Sequence, residues 1–217
     1  MNYELNKMRK TVIFDLGGVI MTLSPDVAVQ RFLDLGLKDA VKQMDPYTQK
    51  GIFGDVEEGK ISPETFRERL SEMCGRELSW EECRYAWLGY VKEVPRRNLD
   101  TLLQLKEQGY RVVLLSNTNP FMMDGVESED FSGDGHSLSF YLHKLYKSYE
   151  MGCMKPNPLF FQKVLQEEQL NPAEALFLDD GQRNVEAARE LGITSIQTIN
   201  GEDWREKLFE ALAIHNA

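Results

Sequence analysis

The chain has 217 residues, 42% of them hydrophobic and 28% charged, the balance of a globular protein with a proper core. Its formal net charge of −10, with no basic stripe, excludes nucleic acid and anionic membrane surfaces as expected partners. No apolar run has the length of a spanning helix, and residues 1–10 lack the apolar segment of a signal peptide, so a cytoplasmic location is expected.

In chain order, Val12-Ile13-Phe14 has the length and composition of a strand buried on both faces, and Asp15 stands at its C-terminal end. Ligands bind at that edge of open α/β sheets, although aspartate is also common in plain turns. Gly17 and Gly18 allow a sharp turn and a close approach to the backbone. Ser24-Pro25-Asp26 then marks a helix start, and helical spacing runs to about Val94. Ser62-Pro63 opens a helix with Phe66, Leu70 and Met73 on one face. Ser79-Trp-Glu-Glu82 is a capping box ahead of Cys83, Ala86, Trp87 and Tyr90. These faces read as core. Residues 53–60 read as an inter-helix loop, a solvated turn that is also the nearest candidate for reaching a ligand. An all-helical block between two strands predicts an inserted helical domain over 23–94, with 1–22 and 95–217 forming the α/β core.

Pro95 opens a helix with Leu99, Leu102 and Leu103 inward, stopped by Gly109. Residues 110–115 form a second buried strand ending in Ser116-Asn117, and 121–138 read as a polar, glycine-rich loop. Within it Asp130-x-Ser132-x-Asp134-Gly135 imitates a calcium loop, but Tyr141 falls where the bidentate acid belongs. A weaker strand is expected at 143–146. Lys155-Pro-Asn-Pro158 leads into a helix carrying Phe161, Val164 and Leu165, and a third strong strand at 175–178 ends in Asp179-Asp180. A helix over 184–191, a strand at 195–199 and a terminal helix carrying Trp204, Leu208, Ala211 and Leu212 complete the chain. The alternation predicts an α/β fold: a doubly wound parallel sheet carrying the inserted all-helical domain. Cys74, Cys83 and Cys153 lack C-x-x-C spacing and read as reduced thiols, and the three histidines never reach metal-ligand spacing.

Parallel strands bring their C-terminal ends to one edge. Asp15, Ser116-Asn117 and Asp179-Asp180 therefore meet there, and Lys155 precedes a helix that leads back to the same edge. Three neighbouring acids repel one another unless a cation joins them, and oxygen ligands suit a hard ion such as Mg²⁺. With that repulsion offset, one carboxylate can attack phosphorus through an aspartyl-phosphate. Lys155 and the Ser116 hydroxyl would hold the non-bridging oxygens.

These residues resemble the motifs of the haloacid dehalogenase (HAD) superfamily, in the branch with a helical cap after the first strand. Asp15-Leu-Gly-Gly-Val, Leu114-Leu-Ser116-Asn117, Gly152-Cys-Met-Lys155-Pro-Asn-Pro158 and Phe177-Leu-Asp179-Asp180-x-x-x-Asn184 match its four motifs in order. The resemblance implies a HAD-like Rossmannoid core and a hydrolase, a phosphatase of a small phosphorylated metabolite such as a sugar phosphate. It makes Asp15 the nucleophile and a metal ligand, with the Gly17 carbonyl and Asp180 completing the protein's ligands to Mg²⁺. Ser116, Asn117 and Lys155 would grip the phosphoryl group. Asp179 would orient Lys155 or support the metal's waters, and Asn184 could equally be the N-cap of its helix.

One position departs from the pattern. Phosphatases of the family usually carry a second aspartate two residues after the nucleophile, as general acid and base, and Gly17 stands there. Such help is worth roughly 10²–10⁴-fold. Val19 likewise replaces a common threonine. Three readings follow: an active phosphatase, a non-catalytic phosphate-binding or regulatory protein, or a 2-haloacid dehalogenase-type hydrolase, since those enzymes also lack the second acid. An anionic haloacid needs no metal, whereas Asp179-Asp180 suits a cation, so the phosphatase is the favoured expectation. A response-regulator receiver places its acidic pair after the first strand and carries no helical insertion, which sets it aside.

Overall fold

Short runs of Val, Ile, Leu and Phe build the central sheet of the computed structural model, which describes residues 11–44 and 51–215. The leader reading of residues 1–10 lies outside them. The strands are β1 (Thr11–Phe14), β4 (Arg111–Ser116), β5 (Lys144–Lys147), β6 (Ala175–Asp179) and β7 (Thr194–Gln197), ordered β5-β4-β1-β6-β7. Every neighbouring pair is parallel, with Phe14 level with Leu114 on one side and Leu178 on the other. A separate two-stranded antiparallel ribbon is made by β2 (Thr22–Leu23) and β3 (Val91–Glu93).

Successive side chains on a strand point to opposite faces, and here they sort into two cores. Val12, Phe14, Val112, Leu114, Leu176 and Leu178 pack on one face. Helix α6 (Arg96–Glu107) covers it through Leu99 and Leu102, and Trp204 with Leu208 of helix α12 (Arg205–His215) covers it from the terminal segment. Ile13, Val113, Leu115 and Phe177 face the other side, under α10 (Pro158–Glu167) and α11 (Gln182–Glu190). Helices on both faces of a parallel sheet are the doubly wound arrangement expected from the alternation of elements.

Between β2 and β3 lie α1 (Pro25–Leu35), α2 (Ala40–Gln43), α3 (Gly51–Glu57), α4 (Pro63–Cys74) and α5 (Trp80–Trp87). Phe32, Phe53, Phe66 and Trp87 meet at ring-centroid distances of 5.2–5.9 Å, mostly edge to face. Helical spacing foretold Phe66 and Trp87 as core; Phe32 and Phe53 join them from helices α1 and α3. The capping box also forms: Ser79 Oγ accepts from Glu82 N at 3.1 Å, and Glu82 Oε2 accepts from Ser79 N at 2.8 Å.

Several expectations need correction. The helical pattern stops short of Val94, because residues 91–93 pair with β2 and are too few to carry a period of two. Met73 is 42% exposed, on the rim of its helix and outside the core. Residues 53–57 are helical, with Phe53 and Val56 buried, so only the residues after Glu57 form the turn. Within the expected loop at 121–138, α7 (Pro120–Val126) is a helix with Phe121, Met122 and Met123 buried. Asn119 caps it by accepting from Met122 N at 3.0 Å, and Pro120 starts it. A short α8 (Leu138–Tyr141) follows the true loop. That loop folds around Asp134, which accepts from Ser132, Arg96 and the Tyr141 hydroxyl. Its carboxylate is thereby occupied, in line with a solvated loop and against a calcium site.

Candidate active site

The site begins where β1 ends. Asp15 N donates to Leu178 O at 2.9 Å, which carries the parallel ladder one residue past the strand and fixes the Asp15 backbone. The chain then turns sharply, and Met21 N returns to Leu16 O at 2.9 Å. Asn98 Nδ2 and Trp204 Nε1 both donate to Val19 O, tying the turn to α6 and to the terminal segment. Gly18 has φ of +74°, and a Cβ there would meet Asp180 Oδ2 at 2.2 Å. A glycine is required at this position because the carboxylate of Asp180 occupies the space. Gly17 is different. A Cβ added to it would meet Leu23 Cδ1 at 2.5 Å, so the β2 leucine fills the room that a side chain at 17 would take.

Lys155 is held by its backbone and by its ammonium. Asn117 Oδ1 accepts from Lys155 N at 2.8 Å and Asn117 Nδ2 donates to Lys155 O at 2.9 Å. The Asn117 amide is thus committed to positioning Lys155, which bears on its expected grip on a ligand. The Lys155–Pro156 peptide is cis. Lys155 Nζ lies 2.9 Å from Asp15 Oδ1 and 2.6 Å from Asp179 Oδ2, with its side chain 1% exposed. Asp179 itself is fully buried, and its Oδ1 accepts from Gly181 N at 2.8 Å and Asn184 Nδ2 at 2.9 Å. Asn184 therefore steadies Asp179 from inside α11, whose N-cap is Gly181, and the N-cap alternative for Asn184 does not hold.

Carboxylate oxygens of Asp15, Asp179 and Asp180 lie within 4.8 Å of one another. Burial first, and the charges of Asp179 and Asp180 next, push the Asp15 carboxyl up to about 8 despite the adjacent ammonium. Burial and Asp179 push Asp180 up to about 6. Burial alone would lower Lys155, but Asp15 and Asp179 outweigh it and hold the ammonium above its ordinary value. Three acids against one lysine leave an uncompensated negative site with oxygen donors only, and such a donor set suits a hard divalent cation.

A cavity of about 780 Å³ opens over this cluster, within the range of small-molecule sites. Asp15, Gly17, Ser116, Asn117, Lys155, Asp180 and Asn184 all line it, while Asp179 lies behind them. All the predicted site residues therefore converge on one place. The helical block supplies the opposite wall, with Glu57, Trp87 and Tyr90. Glu57 is 8% exposed, and burial pushes its carboxyl up to about 7, against the opposing effect of a hydrogen bond from the Asn119 side chain. The sequence reading included Glu57 in the 53–60 stretch nearest a ligand but took that stretch for a solvated turn, whereas Glu57 ends a helix. Its signal was an acid four residues after Phe53, on the apolar stripe of a helix where a solvated charge does not belong.

Residues 9–192 match the model of the haloacid dehalogenase-like hydrolases. The chain belongs to that family. Among its HAD-like relatives is the D-ribitol-5-phosphate phosphatase of Bacteroides thetaiotaomicron, 47% identical over 201 residues, covering 93% of this chain and 97% of the relative. A solved HAD-like hydrolase from Porphyromonas gingivalis superposes with a TM-score of 0.89 at 36% identity, covering 94% of this chain and 98% of that one. A HAD enzyme from Bacteroides thetaiotaomicron, solved with magnesium and inorganic phosphate, superposes with a TM-score of 0.82 at 33% identity, covering 91% and 98%. Among the described residues of this HAD-like chain, no helix is long and apolar enough to cross a membrane.

Proposed function

We propose that the chain is a Mg²⁺-dependent phosphatase of small phosphorylated polyols or sugars, working through an aspartyl-phosphate on Asp15. The observation that carries this reading is the placement of Asp15 at the cavity floor, with Lys155 Nζ 2.9 Å from its Oδ1. The 47% identity to a D-ribitol-5-phosphate phosphatase supports the substrate class, and the relative solved with magnesium and phosphate supports the metal. Asp15, Asp180 and the Gly17 carbonyl would hold Mg²⁺, which offsets the repulsion between carboxylate and phosphoryl oxygens.

The remaining work falls to the chain itself. Lys155 holds the Asp15 carboxylate and carries positive charge to the phosphoryl oxygens. Ser116, 1% exposed at the end of β4, offers a hydroxyl to them. With the Asn117 amide occupied by Lys155, that residue's part is to keep the ammonium in place. Asp179 fixes Lys155 from behind, and Asn184 fixes Asp179. Residues 23–94 act as the cap, with their Glu57 wall over the substrate; closing the cap excludes water and strengthens the electrostatics beneath it.

Phosphate release across a panel of small phosphoesters, ribitol 5-phosphate among them, tests the reading. Turnover is expected with Mg²⁺ and is lost in EDTA. Tight phosphate binding without turnover of any ester would make the chain a binding protein, and Mg²⁺-independent halide release from 2-haloacids would make it a dehalogenase.

A further inference from the structure

Gly17 leaves the site without the side chain that usually moves protons, so another group has to be found in the cavity. Among the described residues lining it, Asp15, Glu57, Tyr90, Lys155, Asp180 and Arg183 carry ionisable groups. Asp15 and Asp180 belong to the carboxylate cluster, and Lys155 is bound to Asp15 and Asp179. Glu57 is the cavity's carboxyl outside that cluster.

Its setting is built. Glu57 ends α3 on the cavity's cap wall, and Asn119 lines the same cavity from the end of β4. Asn119 is 1% exposed, and its Oδ1 is taken by Met122 N at 3.0 Å. A carboxyl titrating near neutrality is suited to give and take a proton in one cycle.

We propose that Glu57 is the general acid and base of this enzyme, supplying from the cap what position 17 lacks; the proposal rests on the phosphatase reading above. In the first step an Asp15 oxygen bonds to phosphorus as the ester P–O bond breaks, and the Glu57 carboxyl gives its proton to the leaving oxygen. In the second, a water oxygen bonds to phosphorus as the Asp15–phosphorus bond breaks. The Glu57 carboxylate takes that water's proton and returns to its starting form.

Glu57→Gln keeps the size and the acceptor for Asn119 but cannot ionise. It should lower kcat/KM on ribitol 5-phosphate by about 10²–10³-fold, because an alkoxide leaves poorly without a proton. With p-nitrophenyl phosphate, whose leaving group needs none, a burst of nitrophenolate stoichiometric with enzyme should persist at the wild-type rate, followed by slow turnover. Equal loss on both esters in the first turnover, or no loss on either, overturns the proposal. Glu57→Asp, which keeps a carboxyl, should exceed the glutamine variant on ribitol 5-phosphate; equality of the two folded variants also overturns it. A wild-type protein inert toward both esters with Mg²⁺ instead defeats the phosphatase reading itself.

Discussion

Asp15→Asn lowers kcat on the best phosphoester by on the order of 10⁴–10⁶-fold, the scale of losing a nucleophile, while the protein stays folded. The amide is nearly the same size, but it cannot bond to phosphorus as a carboxylate does. A second outcome separates this from simple damage. Without a cation the folded Asp15 carboxyl keeps its proton up to about pH 8, whereas its ordinary value is 3.8. The native state therefore binds the additional proton through that window. Stability is greatest below it and falls as pH rises through it. In EDTA the wild type should lose thermal stability more steeply between about pH 5 and about pH 8 than the asparagine variant. Added Mg²⁺ should restore the wild type far more than the variant. Unfolding curves at both pH values check this, and equal slopes would remove Asp15 from the strained cluster.

Lys155→Met produces the other large effect, on stability and on rate together. Its ammonium is the cation that the described residues place between Asp15 and Asp179, with Asp179 fully buried. Removing one partner from a buried ion pair costs about 3–5 kcal/mol, because the other charge is left uncompensated. Urea midpoints in EDTA should fall accordingly. Asp179→Asn added to Lys155→Met should recover part of the loss, since it removes a stranded charge. Activity should not recover, because the phosphoryl oxygens still lack their ammonium. A double variant as unstable as the single one would mean that packing, and not charge, makes Lys155 matter.

The legible parts of the molecule were those where one residue type repeats a simple rule. Val12-Ile13-Phe14, residues 112–115 and residues 175–178 are continuous apolar runs, and these became the three central strands. Parallel pairing then carries every strand end to one edge, so the order of apolar runs is enough to bring Asp15, Ser116 and Asp180 together. The helix α7 was hidden because Phe121-Met122-Met123 are consecutive, and three apolar neighbours carry no helical period. Strand β3 was hidden by its length, since three residues leave no room for alternation. Glu57 was half legible: residues 53–60 were placed near the ligand but read as a turn, because two glycines in eight residues mask the helical spacing of Phe53, Val56 and Glu57.

Leu23 sets the terms on which the absence at position 17 could be reversed. A Cβ restored there would meet Leu23 Cδ1, the far end of a flexible side chain that can turn aside, whereas the neighbouring Gly18 combines a positive φ with the Asp180 carboxylate. The cavity floor is therefore open to exchange at 17 and closed to it at 18.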